Sequence, residues 1–439
     1  MTYTIEKITT LIGARRYGDR DSNVGFILTD SRSLCFPEET LFFALQSERN
    51  DGHNYIPELY RRGVRNFVVS QVPKGYASDY PEANFLKVVN TLEALQRLAE
   101  RHRDEFNIPI VGITGSNGKT MVKEWLHQLL SPELFVTRSP RSYNSQIGVP
   151  LSVWLLNEQT QLGVFEAGIS KPGEMLALRD IIQPTIAVLT YLGAAHQENF
   201  ESLEAKCREK IILFHDAETI VYNGDDETVS GVVNEYQDYK GEKLYWSFKD
   251  PQAPFFVKNV EKKGNLSIIT YIYKGEEDSY SLPFIDEASV TNSIIAAVVS
   301  RRLGLSAENL DKRMALLEPV AMRLEVKEGQ HGCTLINDSY NSDINSLDIA
   351  LDFMSRRPDH KGRRHTLILS DIFQSGESPK DLYREVSDLC RKRGVVKFIG
   401  IGPQLCEQSN EIQISEKFFF GNVEEFIDSE VFKSLRDEV

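Results

Sequence analysis

The chain has 439 residues, of which 41% are hydrophobic and 26% charged, so it can bury several cores, and ordinary domain sizes predict about three domains. Its formal net charge of -14 argues against nucleic acid or an anionic membrane as partner, because both are met by positive patches. Five cysteines (Cys35, Cys207, Cys333, Cys390, Cys406) form no CxxC pair and no Cys/His cluster, which excludes a zinc site or disulfide framework from the expectations and fits a reducing, cytoplasmic setting.

In chain order, Met1 to Thr10 lacks a signal-type apolar core, and no run reaches the roughly 18 apolar residues of a membrane helix. Residues 1–90 carry short β-type runs at Phe26 to Leu28, Leu41 to Leu45 and Asn66 to Ser70, which predict a small α/β unit. A polar helix is expected from Thr91 to Phe106, followed by the apolar run Ile108 to Ile113, of the kind buried in a parallel sheet. Beyond it, β-like runs (Gly163 to Phe165, Thr185 to Thr190, Thr219 to Tyr222) alternate with helical patterns, predicting a doubly wound, mostly parallel central sheet over residues 91–320. Pro254 to Leu282 alternates apolar and polar residues between glycine turns, predicting added antiparallel hairpins. Residues 321–439 form a third, Rossmann-like α/β unit, with strands expected at Cys333 to Ile336, Thr366 to Leu369, Val395 to Ile399 and Lys417 to Phe420. After Gly421 only a short helical pattern precedes Val439, so this unit is expected to lack its last strand and the chain to be the front part of a longer polypeptide.

The sharpest chemical signal follows Ile113. Gly115-Ser116-Asn117-Gly118-Lys119-Thr120 stands between the apolar run and a helix whose apolar positions Val122, Trp125, Leu126, Leu129 and Leu130 keep helical spacing. Glycines let successive N–H groups turn toward phosphate oxygens, and the helix N-terminus adds partial positive charge. Lys119 would neutralise the β- and γ-phosphates, and the Thr120 hydroxyl would ligate Mg2+. The full GxxxxGK[ST] pattern is not met, because Ile113 stands where its first glycine belongs. A glycine turn with an incidental Lys-Thr is the bland alternative. Glu166, at the carboxyl end of a predicted strand, sits where open α/β sheets place ligands and suits Mg2+; a salt-bridged strand-end carboxylate is an equal reading. Lys210 falls on a helical pattern and by itself reads as a surface lysine, with Lys206 one turn earlier.

Thr114 to Thr120 resembles the shortened phosphate loop of the Mur ligases and of folylpolyglutamate synthetase. Several segments extend the resemblance along nearly the whole chain: Asn144-Ser145-Gln146-Ile147-Gly148-Val149-Pro150, Glu166-Ala167-Gly168-Ile169-Ser170, and Ala195-His196-Gln197-Glu198 followed fourteen residues later by Lys210. It implies ATP as cofactor, two Mg2+ sites held by Thr120, Glu166, His196 and Lys210, and CO2 carried on Lys210 as a carbamate that turns a cation into an anionic ligand. Lys119, Glu166, His196 and Lys210 are then the catalytic set. Asn292 stands in the place of an adenine-contacting asparagine, although Ala288 and Ser289 replace the family's His-Asn pair. Arg323 resembles the family's junction arginine, and Asn337 to Asp343 resembles the loop opening the third domain, with Asp338, Tyr340 and Asn341 matching.

Within the family, Thr29-Asp30-Ser31-Arg32, Leu41 to Leu45 and Asp51-Gly52-His53 resemble the uridine-diphosphate-binding domain. Ser31, Arg32, Phe43, Asp51 and His53 are its candidate substrate contacts, joined by Asn144, Ser145, Tyr340 and Asn341. The hydroxyl of Ser31 and the guanidinium of Arg32 both donate, and Arg does so bidentately. The absence of an Asp-Asn-Pro-Arg motif favours members that add D-alanyl-D-alanine to UDP-N-acetylmuramoyl-tripeptide, an ADP-forming ligation. Two other readings stay open: a polyglutamate-type ligase sharing the central unit, and a non-catalytic nucleotide-binding protein. Continuation into an alanine racemase is a further expectation from the family.

Overall fold

The structure is a computed structural model that describes residues 1–47, 50–193, 199–236, 239–320, 325–339, 344–356, 363–372 and 378–439. Three α/β units follow one another. In the first, a five-stranded sheet runs in the order Arg15–Tyr17, Asn84–Lys87, Asn66–Val69, Thr40–Phe43, Phe26–Leu28. All its pairs are parallel except the one between Arg15–Tyr17 and Asn84–Lys87. The expected runs thus contain strands, the one from Leu41 to Leu45 shifting to Thr40–Phe43.

The central sheet has nine strands. Its parallel part is ordered Val136–Arg138, Leu162–Glu166, Ile110–Thr114, Ile186–Leu189, Thr219–Asn223, Glu242–Ser247, Phe255–Lys263, and the antiparallel strands Leu266–Tyr273 and Glu276–Leu282 extend it. The hairpin expectation over Pro254 to Leu282 therefore holds, while Val136–Arg138 and Glu242–Ser247 are strands that periodicity alone did not indicate. Both are too short or too polar to stand out, and pairing with longer neighbours defines them.

Side-chain alternation along Ile110–Thr114 splits the core into two layers. Val111 and Ile113 face a layer with Val122, Trp125, Leu126 and Leu129 of the helix Lys119–Leu130 and the helix Glu287–Arg302. Ile110 faces the opposite layer with Phe165, Ala187, Leu189 and the helices Met175–Ile182 and Leu203–Ile211. Ile110–Thr114 lies between Leu162–Glu166 and Ile186–Leu189, so the chain leaves this strand, fills one side and then crosses to the other. In open α/β sheets such a reversal opens a crevice at the carboxyl strand ends.

In the third unit, His365–Ser370, Val395–Ile401 and Glu416–Phe420 form a parallel three-stranded sheet, and Glu325–Glu328 pairs antiparallel with Thr334–Asn337. Two short helices, Val423–Asp428 and Glu430–Lys433, follow. Glu438 then bridges Arg364 in parallel, accepts from the Thr334 N–H and makes a buried ion pair with Lys397.

Candidate nucleotide and metal site

Three neighbouring strand ends build the site: Thr114 leads into the glycine loop, Glu166 ends its strand, and Thr190 follows Ile186–Leu189. Gly115 has φ +144°, and a Cβ there would lie 2.0 Å from Thr190 Oγ1. Gly118 has φ +87°, and its Cβ would lie 2.3 Å from Asn292 Oδ1. Both positions therefore require glycine, through backbone conformation and through close approach. The loop is laced to the next strand end: Ser116 N–H donates to Tyr191 O (2.6 Å), and Thr190 Oγ1 donates to Asn117 O (2.5 Å). Ser116 Oγ also exchanges hydrogen bonds with the backbone of Gly193.

Lys119 opens the helix Lys119–Leu130, and its ammonium folds back onto the carbonyls of Gly115 (2.8 Å) and Ser116 (3.1 Å). Thr120 Oγ1 donates to Glu166 Oε2 at 3.1 Å and lies 2.9 Å from Ser142 Oγ. Asn144 Nδ2 reaches the same Glu166 oxygen at 3.3 Å. Glu166 is wholly buried, and its other oxygen, Oε1, has no hydrogen-bond partner, although the Lys123 ammonium stands 3.1 Å away as an ion pair. The two observations agree once alignment is considered: charge contact needs only proximity, whereas a hydrogen bond also needs direction.

Lys210 is 2% exposed, which corrects the reading of a surface lysine. The helix Leu203–Ile211 packs that face toward the glycine loop, and Lys210 Nζ donates to Gly115 O at 3.2 Å. Burial, then the charges of Lys119 and Lys206, hold its amine well below the ordinary lysine value. Lys206 is buried too and donates to Gly193 O. Two lysines thus meet on the glycine loop, and a third holds Gly193, the residue bonded to Ser116 Oγ.

On the other side of the loop, Asn117, Gly118, Thr120 and Asn292 line a cleft shared with Asp338 and Asp348 of the third unit. Ala288 lines it with only a methyl group, and the Ser289 N–H is taken by Asp286, which caps the helix Glu287–Arg302 at 2.8 Å. His196, Arg323, Tyr340 and Asn341 lie outside the described residues. Ser145 caps the turn into the helix Gly148–Val153, its Oγ accepting from Gly148 N–H at 3.2 Å.

In the first unit, Asp30 accepts from the backbone of Arg32 and pairs with its guanidinium at 2.6 Å, which holds the Asp30 carboxyl down at about 2. Ser31 lies in that turn, and its carbonyl accepts from Arg62. His53 Nδ1 is 2.7 Å from Asp51 Oδ1, and its Nε2 is 3.1 Å from the Ser70 backbone nitrogen, so the ring bridges a turn to a strand end. Phe43 is a correction: its ring is wholly buried in the first unit's core, so it packs instead of presenting itself to a ligand.

Sequence reasoning missed Lys123, Ser142 and Thr190. For Lys123 a signal existed, since it stands one turn after Lys119 beside the buried apolar positions Val122 and Leu126. Among the described residues no three His, Cys, Asp or Glu side chains gather as a metal cluster.

Comparison with known proteins agrees with this architecture. The Mur ligase middle domain family matches residues 113–300. UDP-N-acetylmuramoyl-tripeptide–D-alanyl-D-alanine ligase of Bacillus subtilis (strain 168) is 27% identical over 366 residues, covering 82% of this chain and 76% of that protein. A crystal structure of MurF from Acinetobacter baumannii superposes with a TM-score of 0.82 at 21% identity, over 97% of this chain and 91% of that one. MurF ligase from Thermotoga maritima in complex with ADP gives a TM-score of 0.76 at 22% identity, over 94% and 91% of the two chains. At these identities the structural likenesses carry the fold.

Proposed function

We propose that the chain is a Mur ligase that joins D-alanyl-D-alanine to the terminal carboxylate of UDP-N-acetylmuramoyl-tripeptide, converting ATP to ADP and phosphate. The observation that carries this reading is the convergence of Lys119, Thr120, Glu166 and Lys210 on the loop Gly115 to Thr120. Residues 1–90 take the uridine-diphosphate end of the acceptor, 91–320 the ATP, and 321–439 close over the cleft.

A carboxylate does not acylate an amine directly, because its leaving group is poor. Its oxygen therefore attacks the γ-phosphorus of ATP, the bond to the bridging oxygen breaks, and ADP leaves with that electron pair. The amine nitrogen of D-alanyl-D-alanine then attacks the acyl carbon. Phosphate departs with the C–O electron pair, and the proton lost by nitrogen passes to solvent. Phosphoryl transfer asks mainly for alignment and neutralised charge, so the protein needs no nucleophile of its own.

The residues fit these groups. Backbone N–H groups of the loop and the start of the helix Lys119–Leu130 are suited to phosphate oxygens, and Lys119 exchanges its carbonyl partners for them. Thr120 and Glu166 form an oxygen donor set of the kind Mg2+ takes, with Glu166 Oε1 a buried acceptor lacking a hydrogen-bond donor. When bound, Mg2+ offsets the charge of the β- and γ-phosphates and of the transferring group. Lys210 would hold a second ion as a carbamate, its neutral amine bonding to the carbon of CO2 and releasing a proton to solvent. Burial beside two other ammonium groups favours that neutral amine, and afterward Lys119 and Lys206 offset the carbamate's charge.

The test is phosphate release with all three substrates, compared with each omission. Release should require both the peptide and D-alanyl-D-alanine, and Lys119→Ala should abolish it while UDP-peptide binding persists. Near-normal turnover of Lys119→Ala would refute the assignment.

A further inference from the structure

Lys123 has no part in the proposed chemistry, yet it is wholly buried beside Glu166. Its ammonium lies 3.1 Å from Glu166 Oε1 and 3.1 Å from Glu124 Oε1, donates to Ser139 O at 2.8 Å and also donates to Arg141 O. Arg141 itself has φ +48°, a left-handed conformation in the turn that supplies this last acceptor. Two backbone carbonyls and two carboxylates therefore fix the nitrogen, and full burial leaves it nowhere to swing. Glu166 is held from both sides, by Thr120 and Asn144 on Oε2 and by Lys123 beside Oε1.

We propose that Lys123 is a positioning residue that orients Glu166 and balances its charge, so that a divalent cation binds firmly only when it arrives with the triphosphate. The inference rests on the nucleotide reading above and adds an order of binding to it. A buried carboxylate standing alone would be costly, and would attract a free dication strongly. Because Glu124 is itself paired with Arg138 at 3.0 Å, the cluster of Glu166, Lys123, Glu124 and Arg138 offers a free dication little net charge, and the Lys123 ammonium repels it. A magnesium–nucleotide complex brings its own phosphate charge and meets the same fixed carboxylate without needing that balance removed. Lys123 thereby acts against idle metal binding while keeping the Glu166 oxygens in one orientation.

The test uses the full chain with Mn2+ as probe, followed by electron paramagnetic resonance with and without a non-hydrolysable ATP analogue. The wild type should bind Mn2+ weakly alone and firmly with the analogue. Lys123→Met should bind Mn2+ without nucleotide about tenfold more tightly, while turnover falls at least about tenfold. Lys123→Gln keeps a donor for the Ser139 and Arg141 carbonyls and should move in the same direction if the methionine variant does not fold. A merely structural lysine would lower thermal stability and leave the nucleotide-free Mn2+ affinity equal or weaker. That result in a folded variant overturns the inference, as does failure of both variants to fold. If the wild type gains no Mn2+ affinity from the analogue, the nucleotide reading fails as well; if it does gain and Lys123→Met keeps the wild type's nucleotide-free affinity, only the role of Lys123 falls.

Discussion

Gly115→Ala places a methyl group where the loop has no room. The new Cβ would lie 2.0 Å from Thr190 Oγ1, 3.1 Å from Tyr191 O and 3.2 Å from Thr190 Cβ, at a backbone φ of +144°. Keeping the loop in place would cost about 1–3 kcal/mol for the backbone conformation and about 1–3 kcal/mol for overpacking. Letting it shift gives up the hydrogen bonds from Ser116 N–H to Tyr191 O and from Thr190 Oγ1 to Asn117 O, at about 0.5–1.5 kcal/mol each. Shifting is the cheaper escape, so the fold should survive while the phosphate-facing N–H groups lose their arrangement. An affinity loss of about 1–3 kcal/mol follows, roughly 5- to 150-fold in Kd for ADP. Calorimetric titration of ADP reads it directly. Adding Thr190→Ala removes the 2.0 Å clash but not the φ penalty, so the double variant should recover only part of the loss, with a coupling of about 1 kcal/mol. Wild-type affinity in Gly115→Ala, or strict additivity with Thr190→Ala, would refute the close-approach argument.

Lys210→Ala should lower turnover by about 100-fold or more, and small carboxylic acids should restore part of it by supplying the missing anion; no loss would remove Lys210 from the site. The same lysine gives stability a pH dependence in CO2-free buffer. Its folded amine holds its proton less tightly than the unfolded amine, whose ordinary value is 10.5, so the unfolded state binds more protons below that pH. Wild-type stability should therefore rise relative to Lys210→Met as pH approaches 10.5, read by urea melts at about pH 8 and about pH 10; a pH-independent difference would contradict the burial cause. Asp51→Ala frees the His53 ring, held at 2.7 Å, and should raise KM for the UDP-peptide up to roughly tenfold with kcat little changed. An unchanged KM would take the pair out of substrate binding.

The order strand, glycine loop, helix at Ile110 to Leu130 was legible because it is local: apolar periodicity and two glycines sit within one stretch of chain. Glu166 was legible only as a strand-end carboxylate, since its hydrogen bond to Thr120 spans 46 residues and no periodicity encodes it. Lys123 and Lys210 show the limit most clearly. A lysine's default is exposure, and only sheet order reveals that the helix Lys119–Leu130 turns Lys123 toward Glu166 while the helix Leu203–Ile211, on the opposite face of the sheet, turns Lys210 toward Gly115. Phe43 erred the other way: proximity to a recognisable motif suggested contact with a ligand, whereas strand alternation buries its ring. In the first unit, the pairing of His53 with both Asp51 and Ser70 depends on a strand end meeting a turn, which sequence spacing does not convey.

The most direct measurement follows oxygen. With the terminal carboxylate of UDP-N-acetylmuramoyl-tripeptide labelled with heavy oxygen, turnover with ATP and D-alanyl-D-alanine should deliver one labelled oxygen into each phosphate released, because the C–O bond that breaks is the one formed to the γ-phosphorus. Phosphate released without label while the amide forms would contradict carboxylate activation by ATP at the loop Gly115 to Thr120.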